Sequence, residues 1–119
     1  MSVDTDYVLG THDAEIGRLQ LQHGIWQALV HDCWKRAGIS KGQCVVDIGC
    51  GPGFASVDLA EVVGPEGRVT GIERSERFIA HAEALCAARG LSTVSFRHAD
   101  VMLDALAVQD ADAIWCRWL

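Results

Sequence analysis

Little in this sequence is arranged for cross-linking. Its five cysteines (Cys33, Cys44, Cys50, Cys86 and Cys116) are odd in number, scattered, and include no C-x-x-C pair. A disulfide framework or a zinc ribbon needs paired spacings, so free thiols in a reducing, cytoplasmic setting are expected. No apolar stretch approaches the roughly 18 to 20 residues that span a bilayer. The opening MSVDTDYVLGTHD is acidic and polar, unlike a signal or transit peptide, and no membrane partner is expected. Basic residues are scarce as well, 10 against 16 acidic, for a net charge of −6 and a pI near 5.2. A non-specific nucleic-acid binder needs a basic footprint, so nucleic acid is not an expected partner. The histidines His12, His23, His31, His81 and His98 are dispersed. His23 and His31, eight apart, could share a helix face, but metal ligation normally needs i and i+4 or a third ligand, and no metal site is expected.

What is present is ordinary globular material, 119 residues of which 50% are hydrophobic and 22% charged. That suits one compact domain. Leu19, Trp26, Leu29, Val30, Cys33, Trp34 and Ala37 recur at three- and four-residue steps, the stripe of an amphipathic helix over 14–37 with Asp13 as N-cap and Gly38 as C-cap. A break near Gly24 is compatible with that pattern. Residues 1–42 therefore form a leader and helix, and 43–119 the unit that follows.

That unit alternates strands and helices. Cys44–Ile48 is an apolar, mostly β-branched run, as in a strand buried on both faces of a parallel sheet. A helix over 54–63, a strand over 68–72, a Ser75-capped helix to about Arg89, a strand over 93–96 and a strand over 113–116 follow. Such alternation predicts an α/β fold, half of a doubly wound parallel sheet with helices on its faces. Two tryptophans, Trp115 and Trp118, sit in the last five residues, where the fourth strand has barely begun. The expectation is a truncated domain or a homo-oligomer that covers this strand with a second copy.

The chemistry concentrates in Val45-Val-Asp-Ile-Gly-Cys-Gly-Pro-Gly-Phe54, where a strand runs into three alternating glycines and a helix begins. Glycines let a ligand lie against the backbone, and the helix start supplies free N–H groups. The spacing is G-x-G-x-G, with Phe54 where a dinucleotide fingerprint has glycine or alanine. No Gly-Lys-Ser/Thr is present, and the only two lysines are Lys35 and Lys41, so pyrophosphate is the weaker candidate. Glu73, 24 residues after Gly49, can accept from both ribose hydroxyls, and Asp100 after the third strand can accept from an exocyclic amine. Each has a plainer alternative: Glu73 a solvated strand end, Asp100 a helix cap or turn, Arg74 a surface residue. Cys50 invites a nucleophile reading, but a small filler is the simpler one.

VVDIGCGPGFAS followed by GIERS and HADV resembles the class I S-adenosylmethionine-dependent methyltransferases from about Gln43 onward. Tyr7-Val-Leu-Gly10, Glu15-Ile-Gly-Arg-Leu19 and Gln22 resemble the leader of bacterial small-molecule members. The resemblance implies a Rossmann-like sheet in the order 3-2-1-4 for this length of chain, with S-adenosylmethionine as cofactor and a small molecule as methyl acceptor. It places Gly49, Cys50, Gly51 and Gly53 along the methionine and ribose, and Asp47 under the turn, facing the methionine ammonium. It places Glu73 on the ribose, Arg74 along the adenine, Asp100 on the adenine amine, and Val101 on its ring. The Cys116 carbonyl would meet the ammonium, and Tyr7 and Gln22 would close the pocket. A direct attack by the acceptor needs no enzyme nucleophile, and no general base is assigned. The rival readings are a binding module without catalysis and an NAD-dependent oxidoreductase fragment, against which Phe54 speaks.

Overall fold

The computed structural model describes residues 13–101, 104, 108 and 110–117. The order of elements is α1 (Asp13–Ala37), β1 (Cys44–Ile48), α2 (Phe54–Val63), β2 (Arg68–Glu73), α3 (Glu76–Ala88), β3 (Val94–His98) and β4 (Ala113–Cys116). The four strands are parallel in the order β3-β2-β1-β4, as the resemblance implies.

Register explains where the core lies. Val94, Val69, Val45 and Ala113 form one cross-strand row, and all four belong to the core that Trp34, Ala55, Leu59, Ala60 and Val63 complete. Side chains alternate between the faces of a strand. The next row, Ser95, Thr70, Val46 and Ile114, therefore points the other way, and Ile114 is 64% exposed. The helices were expected on both faces of the sheet. Among the described residues they form one layer instead, α2 against β1 and β2, flanked by α1 and α3. Successive right-handed crossovers moving in one direction across a sheet put their helices on one side.

α2 is buried nearly all round, from Ala55 to Ala60 and at Val63. A helix so enclosed is normally apolar throughout, yet it carries the buried Ser56 and Asp58. α1 answers one of these. It runs unbroken through Gly24 and buries His23, Val30 and Trp34. Of the apolar stripe expected to face inward, Trp26, Leu29 and Cys33 are exposed. The stripe is rotated because the inward face must also supply polar partners to Asp58. Gly38 (φ +84°) ends α1, with Ile39 N–H donating to the Trp34 carbonyl at 3.0 Å. Ser75 caps α3, its hydroxyl accepting from Phe78 N–H at 3.2 Å. All five cysteines are free thiols, and no described helix is long and apolar enough to cross a membrane.

Candidate functional site

At the carboxyl ends of the strands the backbone of the glycine turn is held from below. The N–H groups of Gly49 and Cys50 both donate to the Ile72 carbonyl, at 2.8 and 3.0 Å. Gly49, Gly51 and Gly53 all have positive φ, the region that disfavours any side chain. Gly53 (φ +98°) is doubly constrained, since a Cβ there would meet the Ala82 Cβ at 2.7 Å. Gly51 differs, because a Cβ there would point into open space.

That space is a cavity of about 380 Å³. Its floor is Gly49, Cys50, Gly51 and Pro52, with Phe54, Ala55 and Phe78 beside it. α1 forms a wall through Glu15, Arg18, Leu19 and Gln22, and Arg117 closes it from the end of β4. The cavity thus brings together Gly49, Cys50, Gly51 and Gln22 of the candidate residues. Gly53 sits at the start of α2, packed on α3 and away from the cavity wall.

Two carboxylates lie beneath the turn. Asp47 is 3% exposed and accepts from the Ser56 hydroxyl at 2.7 Å. Burial pushes its carboxyl up to about 6, against the pull of the Ser56 hydrogen bond and of the Arg117 charge. Glu73 is 1% exposed, which removes the reading of it as a solvated strand end. One carboxylate oxygen accepts from Gly51 N–H at 2.9 Å and the other from Ser75 N–H at 3.0 Å. Glu73 therefore braces the glycine turn against the loop after β2. A carboxylate oxygen can accept more than one hydrogen bond, so this bracing is compatible with a ligand hydroxyl.

The remaining candidates are spread more widely. Register sets His98 beside Glu73, so Asp100 follows β3 at the same end of the sheet. Asp100 also takes part in a turn, its N–H donating to the Asp104 carboxylate at 2.7 Å. Arg74 is exposed, and its carbonyl accepts from His98 Nε2 at 2.7 Å. Val101 is exposed. Cys116 pairs in register with Ile48, next to the turn, and it is exposed. Tyr7 lies outside the described residues. The Cys50 thiol is pushed far up, by burial first and then by the Asp47 and Glu73 carboxylates, which removes any nucleophilic role near neutrality.

Sequence patterns missed a second cluster. Asp58 Oδ2 accepts from His23 Nε2 at 2.8 Å, from Gln27 Nε2 at 2.9 Å and from His31 Nε2 at 2.8 Å. Burial would raise this carboxyl, but the three donors outweigh it and bring it down to about 2. His23, Gln27 and His31 are four apart, one face of α1, and that i, i+4, i+8 polar line was the available signal. Its partner, 27 or more residues away, was not readable.

The sequence profile of a methyltransferase domain matches residues 39–117. A demethylmenaquinone methyltransferase of Geobacillus stearothermophilus is 38% identical over 71 residues, 60% of this chain and 30% of its own length. Among solved structures, coclaurine N-methyltransferase bound to N-methylheliamine and SAH superposes with a TM-score of 0.69 at 29% identity, over 75% of this chain and 26% of that one. A SAM-dependent methyltransferase from Aquifex aeolicus gives 0.65 at 27% identity, over 72% of this chain and 46% of that one. The chain spans about 30% of the length of the curated relative it matches.

Proposed function

From the premise that this chain belongs to the methyltransferase-domain family, we propose that it binds S-adenosylmethionine over the Gly49–Gly53 turn and serves methyl transfer to a small molecule. The observation that carries this reading is the turn itself, three positive-φ glycines at the floor of a cavity, braced from below by the buried Glu73. In this reading Asp47 faces the ligand ammonium and Glu73 its ribose. Asp100 and Val101 take the adenine, with Arg74 alongside. The Cys116 carbonyl meets the ammonium, and Gln22 and Tyr7 cover the methionine end. The division into a leader (1–42) and a cofactor-binding unit (43–119), a cytoplasmic setting and pairing of two copies along β4 belong to the same reading.

The chemistry asks for alignment more than for reactive side chains. The acceptor's lone pair attacks the methyl carbon in line with the departing sulfur. The carbon–sulfur bond breaks as the new bond forms, and the sulfonium becomes a neutral thioether. Any proton on the acceptor leaves to solvent. The protein contributes by holding donor and acceptor in register and by excluding water. α1 covering the glycine turn supplies such a wall.

Calorimetric titration with S-adenosylhomocysteine, with NAD as the contrasting ligand, tests the reading. The expected result is micromolar binding of S-adenosylhomocysteine only, weakened about tenfold in Glu73→Gln, equivalent to about 1.4 kcal/mol. Tighter binding of NAD, or no loss in the Glu73 variant, overturns it. Native mass measurement checks the pairing of copies, and a monomer at all concentrations counts against it.

A further inference from the structure

Arg117 is held from behind by a row of fixed groups. Its Nη2 lies 2.6 Å from His23 Nδ1. A guanidinium can only donate, so Nδ1 must accept, which leaves the ring proton on Nε2. That nitrogen donates to Asp58 at 2.8 Å, and Asp58 is itself secured by Gln27 and His31. The His23 ring also stacks on Phe54, with centroids 6.1 Å apart, and Phe54 meets the His81 ring edge-on at 5.6 Å. His81 in turn donates through Nδ1 to the Pro52 carbonyl at 2.9 Å, within the glycine turn. The imidazole is therefore fixed by α2 on two sides, through Asp58 and through Phe54, and Phe54 is in turn backed by His81.

The cavity has a second arginine, but the two are not equivalent. Arg18 is half-exposed and is paired with Glu15 in two hydrogen bonds. Arg117 is partly desolvated, and burial pulls its pKa down. A guanidinium withdrawn from water gains most from an arriving carboxylate, because the attraction is less screened. The wall also carries the opposite sign at Glu15 on α1, and Asp47 lies buried beneath the turn, within reach of the Arg117 charge. Paired charges of both signs suit a zwitterion, the amino-acid end of the ligand.

We propose that His23 and Asp58 are positioning residues, which aim the Arg117 guanidinium at the cavity as the docking cation for the ligand's amino-acid carboxylate. The proposal rests on the S-adenosylmethionine reading above. Titration of the full chain with two probes tests it: S-adenosylhomocysteine, and 5′-methylthioadenosine, which keeps the adenosine and thioether but lacks the amino-acid end. Arg117→Met and His23→Phe should each weaken S-adenosylhomocysteine at least fivefold and leave methylthioadenosine within twofold. Arg117→Lys should recover part of the loss. Arg36→Ala, which removes an exposed α1 side chain paired with Asp32 and outside the cavity lining, should change neither ligand. Equal loss of both ligands in His23→Phe would mark a merely structural role and overturn the proposal. Unchanged S-adenosylhomocysteine affinity in Arg117→Met overturns it too, and that variant remains decisive if His23→Phe does not fold. Binding of neither probe by the unsubstituted chain defeats the cofactor reading itself, and this proposal with it.

Discussion

The glycine turn and the α1–α2 seam both place carboxylates out of water, and they satisfy them in opposite ways. Glu73 under the turn is satisfied by backbone N–H groups of Gly51 and Ser75. Asp58 in the seam is satisfied by side chains, two imidazoles and an amide from a helix 27 to 35 residues away. Backbone donors come with any sequence that makes the turn, so what the turn demands is the absence of side chains. Side-chain donors must be specified one at a time, and losing one leaves its partner stranded. The first region should therefore fail by crowding and the second by desolvation.

The largest effect should come from crowding. Gly53→Ala is expected to destabilise by about 4 kcal/mol, combining a left-handed backbone with overpacking against Ala82. Gly51→Ala, with a left-handed backbone but open space, should cost about 1 kcal/mol. Urea unfolding of the two variants would break the comparison if the order were reversed or the costs equal.

Asp58→Ala comes next, at about 3 kcal/mol, because it strands the buried His23 nitrogen and unpins α1 from α2. His31→Ala, from a half-exposed side chain, should cost less than about 1 kcal/mol. Thermal melts of both at neutral pH would show whether the seam depends on the carboxylate or on each donor equally.

Acid sharpens the contrast. The Asp58 carboxyl is lowered in the folded state from 3.8 to about 2. Its contribution is therefore fully present above pH 3.8 and is lost as pH falls through about 2, roughly 2 kcal/mol in all. Asp58→Asn should flatten that acid limb, and an unchanged limb would show that other groups carry it.

Asp47 has the opposite sign. Its carboxyl is raised from 3.8 to about 6, so the folded state binds the proton more tightly than the unfolded chain. Stability from this group rises as pH falls from 6 toward 4. Asp47→Asn should leave stability at pH 8 unchanged or slightly higher. If Asp47 faces the ligand ammonium, S-adenosylhomocysteine affinity should fall as pH drops below about 6, and the variant should lose that dependence. A variant that binds as tightly as the parent at pH 8 removes Asp47 from the site.

Much of the architecture was legible because it is written in local patterns. β1, α2 and β4 begin and end where the apolar runs and glycines place them, and β2 and β3 extend one or two residues beyond the expected ends. The extension at β2 takes in Glu73, whose place in the strand is set by pairing with His98 across the sheet. α1 shows the limit. Its length followed from periodicity, but which face it buries did not. Trp26 and Leu29 carry the apolar pattern, and the helix nevertheless turns His23, Gln27 and His31 inward. No count of hydrophobic positions contains the buried Asp58 that they answer.

By itself the amino-acid sequence determined the alternation of strands and helices, the parallel sheet they require, and the glycine turn where a ligand can approach the backbone. These depend on neighbours along the chain: β-branched runs, caps, and residues without side chains. Only the tertiary structure decided that Glu73 lies wholly buried as a brace for that turn, and that Arg117 lines the cavity with its Nη2 on His23. It also decided that the described helices lie on one face of the sheet. Those outcomes depend on which distant groups meet, and a buried carboxylate or guanidinium accepts its place only when every partner has arrived.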